Sequence, residues 1–189
     1  AVLAVPSHKW LLGPVGLGFV YVAPHLLDSM QSWNAGWVNL SARTGFRSLL
    51  HLDGSPPDDA SRFESGSPAY ALLAPWRISL DLLAESGAEQ VERHVRSLAL
   101  RALDGIRGLA AGAAGAGLGL GLMSPAPPAS RSGIVSFHAG ERTLALYRAL
   151  EAAGFTVALR DGASRLSPHL YNTVTEIDAL LDACRRFLA

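Results

Sequence analysis

The spacing of apolar and polar positions predicts two short strands near the start of the chain, followed by a helix. Residues 1–5 have a buried-strand pattern, and residues 19–22 form a second β-branched and aromatic run. A helical region is expected over residues 68–86. Pro75 should restart or kink this helix and Gly87 should end it.

The rest of the pattern predicts alternating helices and strands. A helix over residues 88–109 is indicated by apolar residues at three- and four-residue spacing: Val91, Val95, Leu98, Ala102, Ile106 and Leu109. The later elements are a loop and small-residue strand over 108–121, a strand over 133–137, a helix over 142–153, a strand over 155–159, and a final helix beginning at Thr173. Thr173 and Glu176 fit a capping box. This order is typical of a compact α/β or α+β domain.

Composition narrows the class of protein. The 189 residues are 49% hydrophobic and 17% charged, which excludes a disordered chain. A net charge of zero argues against a nucleic-acid or membrane-surface protein, because such proteins need a concentrated basic surface. No apolar run is long enough to span a bilayer, and no signal segment is visible, so we expect a soluble, cytoplasmic protein.

Lysine is nearly absent from the chain. Lysine and arginine together number 16, and Lys9 is the only lysine, which leaves 15 arginines. Arginine cannot act as an amine nucleophile because its guanidinium stays protonated, whereas lysine can. Lys9 is therefore either retained for its chemistry or an exposed residue that survived by chance.

The position of Lys9 favours the first alternative. It lies in the connection between the two predicted strands, beside Trp10 and Leu11, and a glycine-rich turn follows it. Glycines let a backbone approach a ligand closely. We expect Lys9 to be buried among these apolar residues, which would favour the uncharged amine that Schiff-base formation requires.

Residues 7–18, SHKWLLGPVGLG, followed by the strand FVYV, resemble the pyridoxal-phosphate lysine motif of the class V aminotransferase superfamily. This superfamily includes transaminases, isopenicillin-N-epimerase-like enzymes, cysteine desulfurases and selenocysteine lyases. The resemblance implies that Lys9 forms an internal aldimine with pyridoxal 5'-phosphate. It also implies that His8 and Ser7 approach the cofactor phosphate.

A second segment, residues 62–68 (RFESGSP), resembles the family's Phe-Glu-x-Gly-Thr-Pro segment, with Ser67 in place of threonine. A hydroxyl and backbone amides ahead of Pro68, at the expected first turn of a helix, would make an anion site. The resemblance implies that Gly66 and Ser67 reach the cofactor phosphate of a neighbouring subunit, and hence a homodimer. Alternatively, Ser67 is only a helix N-cap.

A third segment, residues 160–173 (RDGASRLSPHLYNT), resembles the family's Arg-x-Ser-x-x-x-Tyr-Asn-Thr signature. The resemblance implies that Arg165 binds the α-carboxylate of the substrate, which a guanidinium can contact bidentately. Arg160, after a predicted strand, would be a second contact or a support. For Tyr171-Asn172 and His169 we favour a structural role in the turn.

The cysteine content separates branches of the superfamily. In one desulfurase branch, a longer cysteine-bearing loop lies between the two arginines, but here only residues 161–164 separate them and none is cysteine. The single cysteine, Cys184, shares a helical stripe with Ile177, Leu180, Leu181 and Leu188, so we expect it in the core. The short form favours transaminase or epimerase chemistry. A cysteine desulfurase or selenocysteine lyase is the second alternative.

The resemblance covers nearly all of this chain but only the C-terminal portion of a family member. The implied fold is α/β, the C-terminal part of an aspartate-aminotransferase-like fold: residues 1–67 end the pyridoxal-phosphate-binding large domain, 68–109 form bridging helices, and 110–189 form a small C-terminal domain. We therefore expect a truncated product, a fragment, or half of a split enzyme with a complementing N-terminal half. It would act on a small amino acid and needs no metal. The alternative is a non-catalytic remnant that binds a partner.

Overall fold

The computed structural model of the protein describes residues 1–31, 34–41, 56–114, 119–125 and 130–189. The chain divides into two compact units, Ala1–Ser86 and Gly87–Ala189, and each is described by itself. The boundary at Gly87 separates the two helices that the sequence predicts as one bridging segment over 68–109. One helix belongs to each unit, whereas the prediction divides the chain at residues 67 and 109.

The first unit begins with a β-hairpin. Strands β1 (Val2–Pro6) and β2 (Gly18–Val22) pair antiparallel, with Val2 opposite Val22 and Pro6 opposite Gly18. This confirms the two predicted strands, but the buried pattern expected over residues 1–5 is wrong, since β1 is mostly exposed. The hairpin is followed by short helices α1 (Pro24–Leu27) and α2 (Trp37–Ser41) and by a 3₁₀ helix (Ala60–Phe63).

Helix α3 (Tyr70–Ser86) closes the first unit. It begins two residues later than predicted and runs through Pro75 as one continuous helix, so the expected restart is not observed. A proline near the start of a helix removes only one backbone hydrogen bond, here to the carbonyl of Ala71. Gly87, with φ of +74°, ends the helix as predicted.

Among the described residues of the first unit, few side chains are buried: Ser7, Val22, Ala23, Leu27, Asn39 and Trp76. Apolar side chains of the hairpin are exposed: Val2, Leu3, Phe19, Val20 and Tyr21. The hairpin therefore has little apolar packing among the described residues of this unit.

The second unit is built on a four-stranded antiparallel sheet in the order β3-β4-β6-β5. Its elements are α4 (Ala88–Ala114), β3 (Leu120–Leu122), β4 (Val135–Ala139), α5 (Thr143–Ala152), β5 (Ala158–Arg160), β6 (Ala163–Leu166) and α6 (Val174–Leu188). Apolar residues of the three helices and of β3, β4 and β6 form one core, which includes Leu98, Ile106, Phe137, Leu146 and Leu150. Cys184 is fully buried there, as predicted.

Most predicted elements of the second unit are confirmed, with three differences. The strand expected over 155–159 is β5, which begins only at Ala158. Helix α4 continues to Ala114, although residues from 108 onward were expected to form a loop, because the alanine- and leucine-rich stretch favours helix despite Gly108 and Gly112. Strand β6 was not predicted at all. The capping box is confirmed, since Thr173 and Glu176 each accept a hydrogen bond from the other's backbone N–H.

In the ranges that the structure describes, no helix combines the length and apolar character needed to cross a membrane.

Candidate cofactor and substrate sites

Lys9 lies in the connection between β1 and β2, as predicted. The base of this connection is closed by two backbone hydrogen bonds, from Ser7 N to the Leu17 carbonyl (3.0 Å) and from Gly13 N to the Ser7 carbonyl (2.8 Å). Within it, Leu12 N donates to the Lys9 carbonyl (3.2 Å), which closes a turn over residues 9–12. The lysine is therefore carried by a hydrogen-bonded turn.

Ser7 supports this turn from inside. Its side chain is 0% exposed, and its hydroxyl contacts the carbonyl oxygens of Pro14 and Leu17, the latter at 2.9 Å. A hydroxyl with no exposed surface cannot also reach a phosphate. The expectation that Ser7 contacts the cofactor is therefore corrected: Ser7 holds the connection together.

Helix α3 packs against the end of the same turn. A Cβ on Gly13 would lie 2.5 Å from Cδ1 of Trp76 and 2.8 Å from Cβ of Ser7, so only glycine fits there. One helical turn along from Trp76, the Ser79 hydroxyl donates to the Leu12 carbonyl (2.9 Å). Leu12 has φ of +51°, a left-handed conformation that is unfavourable for a residue with a Cβ.

The side chains of His8, Lys9 and Trp10 are exposed. The expected burial of Lys9 is therefore wrong for this chain, because the part of the turn that packs against α3 is Gly13 and not the lysine. No residue in the described ranges forms a hydrogen bond or an ion pair with the Lys9 ammonium. The amine is accessible while the backbone that carries it is held.

The segment over residues 62–68 is anchored at its start. The Arg62 guanidinium donates to the carbonyls of Leu27 (2.6 Å) and Pro57 (2.9 Å), and the Asn39 amide donates to the Arg62 carbonyl (2.8 Å). A Cβ on Gly36 would lie 1.8 Å from the Ser65 carbonyl oxygen, so the two backbones are in close contact. The sequence alone did not indicate that Gly36 and Asn39 hold this loop.

Gly66 and Ser67 lie at the exposed end of that loop. A Cβ on Gly66 would meet no atom within 4 Å, so its surface is open. Because α3 begins at Tyr70, Ser67 is not its N-cap and Pro68 is not in its first turn. Both expectations are corrected. The backbone at Gly66 and Ser67 remains accessible to a ligand, but it is not part of a helix N-terminus.

In the second unit, Arg165 lies in β6, which has a neighbouring strand on each side. It is opposite Ser136 of β4 and Ala158 of β5. Leu166 faces the core, so alternation along the strand places Arg165 on the other face of the sheet. Its Nε is buried and has no hydrogen-bond partner among the described residues. A buried, unpaired guanidinium nitrogen is a donor ready for an anionic ligand.

Arg160 ends β5, and a two-residue turn connects it to β6. Asp161 and Gly162 both have positive φ, 48° and 75°, as in the type I′ turns of tight hairpins. The Arg160 side chain is exposed, and it donates to the Leu159 carbonyl (2.9 Å). The dipeptide Asp-Gly was the signal that could have predicted β6 from the sequence.

The Tyr-Asn-Thr segment forms the turn into α6. Asn172 Oδ1 accepts a hydrogen bond from the His169 amide (2.9 Å), and the Asn172 carbonyl contacts Nε2 of His94 in α4 (2.9 Å). His169 is buried and its ring stacks on Tyr171 at 5.0 Å. These contacts confirm the structural roles expected for His169 and Asn172.

Cys184 is poorly suited to nucleophilic chemistry. Burial raises the pKa of its thiol to about 12. Sulfur chemistry needs the thiolate, so this cysteine is inert at neutral pH.

Known proteins with similar sequences include two that are named for different reactions, one as an aminotransferase and one as an epimerase. An uncharacterized aminotransferase, YcbU of Bacillus subtilis, is 29% identical over 182 residues, covering 95% of this chain and 44% of that protein. The isopenicillin N epimerase of Streptomyces clavuligerus is 28% identical over 195 residues, covering 94% and 44%. The chain thus spans less than half the length of these curated relatives.

Solved structures show the same fold. The cysteine desulfurase CsdA of Escherichia coli superposes with a TM-score of 0.74 at 23% identity, covering 99% of this chain and 46% of that one. A variant of the lyase C-DES, with glycine covalently linked to its pyridoxal-phosphate cofactor, has a TM-score of 0.72 at 21% identity, covering 96% and 44%. The expected fold class, an α/β portion of a pyridoxal-phosphate-dependent enzyme, is confirmed.

The family comparison accounts for both units and for the three motifs on them. The model of Aminotransferase class-V matches residues 1–180, which takes in the Lys9 turn, the Gly66 loop and the Arg165 strand. This chain therefore belongs to the class V aminotransferase family.

Proposed function

We propose that this chain is the lysine- and arginine-bearing portion of a pyridoxal-phosphate-dependent enzyme that acts on an amino acid, of the transaminase or epimerase type. The observation that carries the proposal is the Lys9 turn. The only lysine of the chain lies on a hydrogen-bonded connection, and its amine has no partner among the described residues.

The residues present fit the cofactor and an amino-acid substrate. An aldehyde needs an accessible primary amine, and Lys9 offers one. A carboxylate binds to positively charged groups whose N–H donors have no other acceptor, and the buried Nε of Arg165 is such a donor among the described residues. When bound, pyridoxal phosphate supplies an electron sink for the carbanion formed at the α-carbon of the amino acid.

In this proposal Lys9 has two roles. Its Nζ would hold the aldehyde group of the cofactor. The same amine, as a general base, would accept the α-proton of the amino acid and return it to carbon. An exposed turn suits this exchange because the side chain can move while Leu12 and Gly13 hold the backbone.

Phosphate binding is assigned to His8, Gly66 and Ser67. His8 is exposed next to Lys9, and the backbone at Gly66 is open. Ser7 is left out of this set because its buried hydroxyl bonds to the connection itself.

Arg165 is assigned to the α-carboxylate of the amino acid, with Arg160 as a supporting charge. Its place between two neighbouring strands gives the guanidinium a rigid base. A planar guanidinium can donate two parallel hydrogen bonds to a carboxylate, which orients the substrate as well as binding it.

Sulfur transfer is not proposed. Burial raises the pKa of the Cys184 thiol to about 12, and only the two-residue Asp161-Gly162 turn joins the arginine-bearing strands. The homodimer, the complementing N-terminal half and the cytoplasmic location stay predictions.

The test is covalent capture at Lys9. The protein is incubated with pyridoxal phosphate, reduced with borohydride and mapped by peptide mass spectrometry, with Lys9→Arg as the matched control. We expect a visible absorbance band and a cofactor adduct on the Lys9 peptide, both absent in the control.

The assay is run on the chain alone and after mixing with the polypeptide that precedes it in the coding region. A Lys9-dependent band only in the mixture supports a split or divided enzyme. An absence of adduct in both arms overturns the proposal and favours a non-catalytic remnant.

A further inference from the structure

We propose that Ser79, in the middle of α3, is a positioning residue for Lys9. This inference rests on the proposed function. It assigns a role to a side chain outside the three motifs that the family resemblance identified.

The contact between Ser79 and the lysine turn is direct and short. The Ser79 hydroxyl donates to the Leu12 carbonyl at 2.9 Å, across 67 positions of sequence, while its distance to the Pro75 carbonyl of its own helix is 3.4 Å. A serine inside a helix usually bonds to the carbonyl four residues earlier. Here the shorter contact is to the turn.

Leu12 links that contact to the lysine. Its amide donates to the Lys9 carbonyl (3.2 Å), and its own carbonyl accepts from Ser79. Both peptide groups that flank Leu12 are thus held, one by the Lys9 carbonyl and the other by the Ser79 hydroxyl. A side chain on helix α3 is in this way connected to the lysine backbone through one residue.

The conformation of Leu12 explains why such a contact is needed. A φ of +51° is unfavourable for leucine, and such a conformation persists only where its surroundings impose it. Trp76 packs against Gly13, and Ser79 bonds to Leu12. These residues lie three apart on α3, so one face of the helix imposes the turn.

The backbone of the turn determines the direction of the Lys9 side chain. Lys9 itself is exposed and no described residue bonds to its amine, so nothing else in those parts of the chain directs the side chain. The orientation of its Cα–Cβ bond then depends on the turn backbone. Losing the Ser79 bond should let Leu12 relax toward negative φ and redirect Lys9.

The experiment compares Ser79→Ala with two matched variants. Ser86→Ala removes a hydroxyl from the same helix, one that donates to the Leu82 carbonyl of that helix (2.8 Å) and does not contact the turn. Ser79→Thr keeps the hydroxyl and should restore the contact. The full chain is used for each, with circular dichroism as a check on folding.

Two measurements are made. Hydrogen–deuterium exchange of the peptide containing residues 8–13 should be faster by about five- to tenfold in Ser79→Ala, as expected for one lost hydrogen bond. The concentration of pyridoxal phosphate that half-saturates the Lys9 adduct should rise by a similar factor. The pH midpoint of the absorbance band should also move. Ser86→Ala and Ser79→Thr should match the wild type.

The results separate the two proposals. Unchanged exchange and an unchanged adduct in Ser79→Ala overturn the positioning role. Equal effects in Ser86→Ala also overturn it, since they would reflect the helix as a whole. A wild-type protein without any Lys9 adduct overturns the proposed function, while the exchange data still decide whether Ser79 holds the turn.

Discussion

The two candidate sites are supported in different ways. Lys9 lies on a turn whose shape depends on a few contacts: the Ser79 hydrogen bond, the fit of Gly13 against Trp76, and a leucine in a left-handed conformation. Arg165 lies on a strand with a neighbour on each side and the apolar core behind it. The lysine is therefore sensitive to single local contacts, whereas the position of the arginine depends on the stability of its whole unit.

The largest expected effect is the loss of stability caused by a substitution in the core of the second unit. Phe137→Ala removes a fully buried side chain of β4, the neighbour of β6, and should lower the free energy of unfolding by about 3–5 kcal/mol. Leu144→Ala, at a leucine that is 46% exposed, is the control and should cost below about 1 kcal/mol. Denaturant titration measures both. A similar cost for the two variants would contradict a core-supported arginine strand.

The carboxylate role of Arg165 is tested next. Arg165→Lys keeps the charge but loses the planar pair of donors, and should weaken amino-acid binding by about 10- to 100-fold. The readout is the amino-acid-induced change in the visible absorbance of the cofactor-loaded protein. Arg186→Lys, at an exposed position of α6, should have no effect. Equal binding by the two variants would remove Arg165 from the proposed site.

Alanine substitutions at two glycines of the first unit distinguish the effect of packing on stability from the effect of ligand contact on cofactor affinity. Gly13→Ala places a Cβ 2.5 Å from Trp76 and should lower stability by about 1–3 kcal/mol while reducing the Lys9 adduct. Gly66→Ala meets no atom within 4 Å, so stability should be unchanged and only cofactor affinity should fall. Thermal melts and adduct titrations measure the two effects. A destabilised Gly66→Ala, or a cofactor affinity equal to wild type, would contradict the assignment of an open phosphate contact.

The smallest expected effect is a loss of stability of the second unit at acid pH. The hydrogen bond from Arg101 lowers the pKa of Asp178, so its carboxylate stabilises the fold above the usual Asp pKa. This contribution is lost as the pH falls through the lowered pKa. Asp178→Asn should therefore melt below wild type at neutral pH and converge with it once the pH has fallen below the lowered pKa of Asp178.

The control for this variant is Glu141→Gln, which is exposed and should follow the wild-type melting curve across the range. Because the side chains of Arg101 and Asp178 are 50% and 42% exposed, solvent screens the pair and we expect a difference near the lower limit of measurement. A constant difference between Asp178→Asn and wild type at all pH values would contradict the linkage.

Residue pattern and turn chemistry were enough to predict much of the fold. Strands β1 and β2 follow from an apolar run and a β-branched and aromatic run. The buried stripe that includes Cys184 follows from helical spacing, and the cap at Thr173 from a side chain that can bond to a backbone amide. Strand β6 was missed because its residues, Ala-Ser-Arg-Leu, have low strand propensity and are placed by pairing with β4 and β5.

The candidate site was predicted only in part. Lys9 could be singled out because it is the only lysine, and its place between two strands followed from the pattern. Its exposure, the burial of Ser7 and the contact with Ser79 could not be predicted, because they depend on how a helix 67 residues away packs against the turn. Such long-range contacts leave no periodic signal in the sequence.

The Asp161-Gly162 turn has a consequence for how this family can diversify. The ends of β5 and β6 are held in register by the hydrogen bonds between them, so an insertion at the turn would leave the sheet intact. Because the entropic cost of closing a loop grows slowly with length, many extra residues could be accommodated there. A longer connection at this turn would therefore keep Arg160 and Arg165 in place on their two strands.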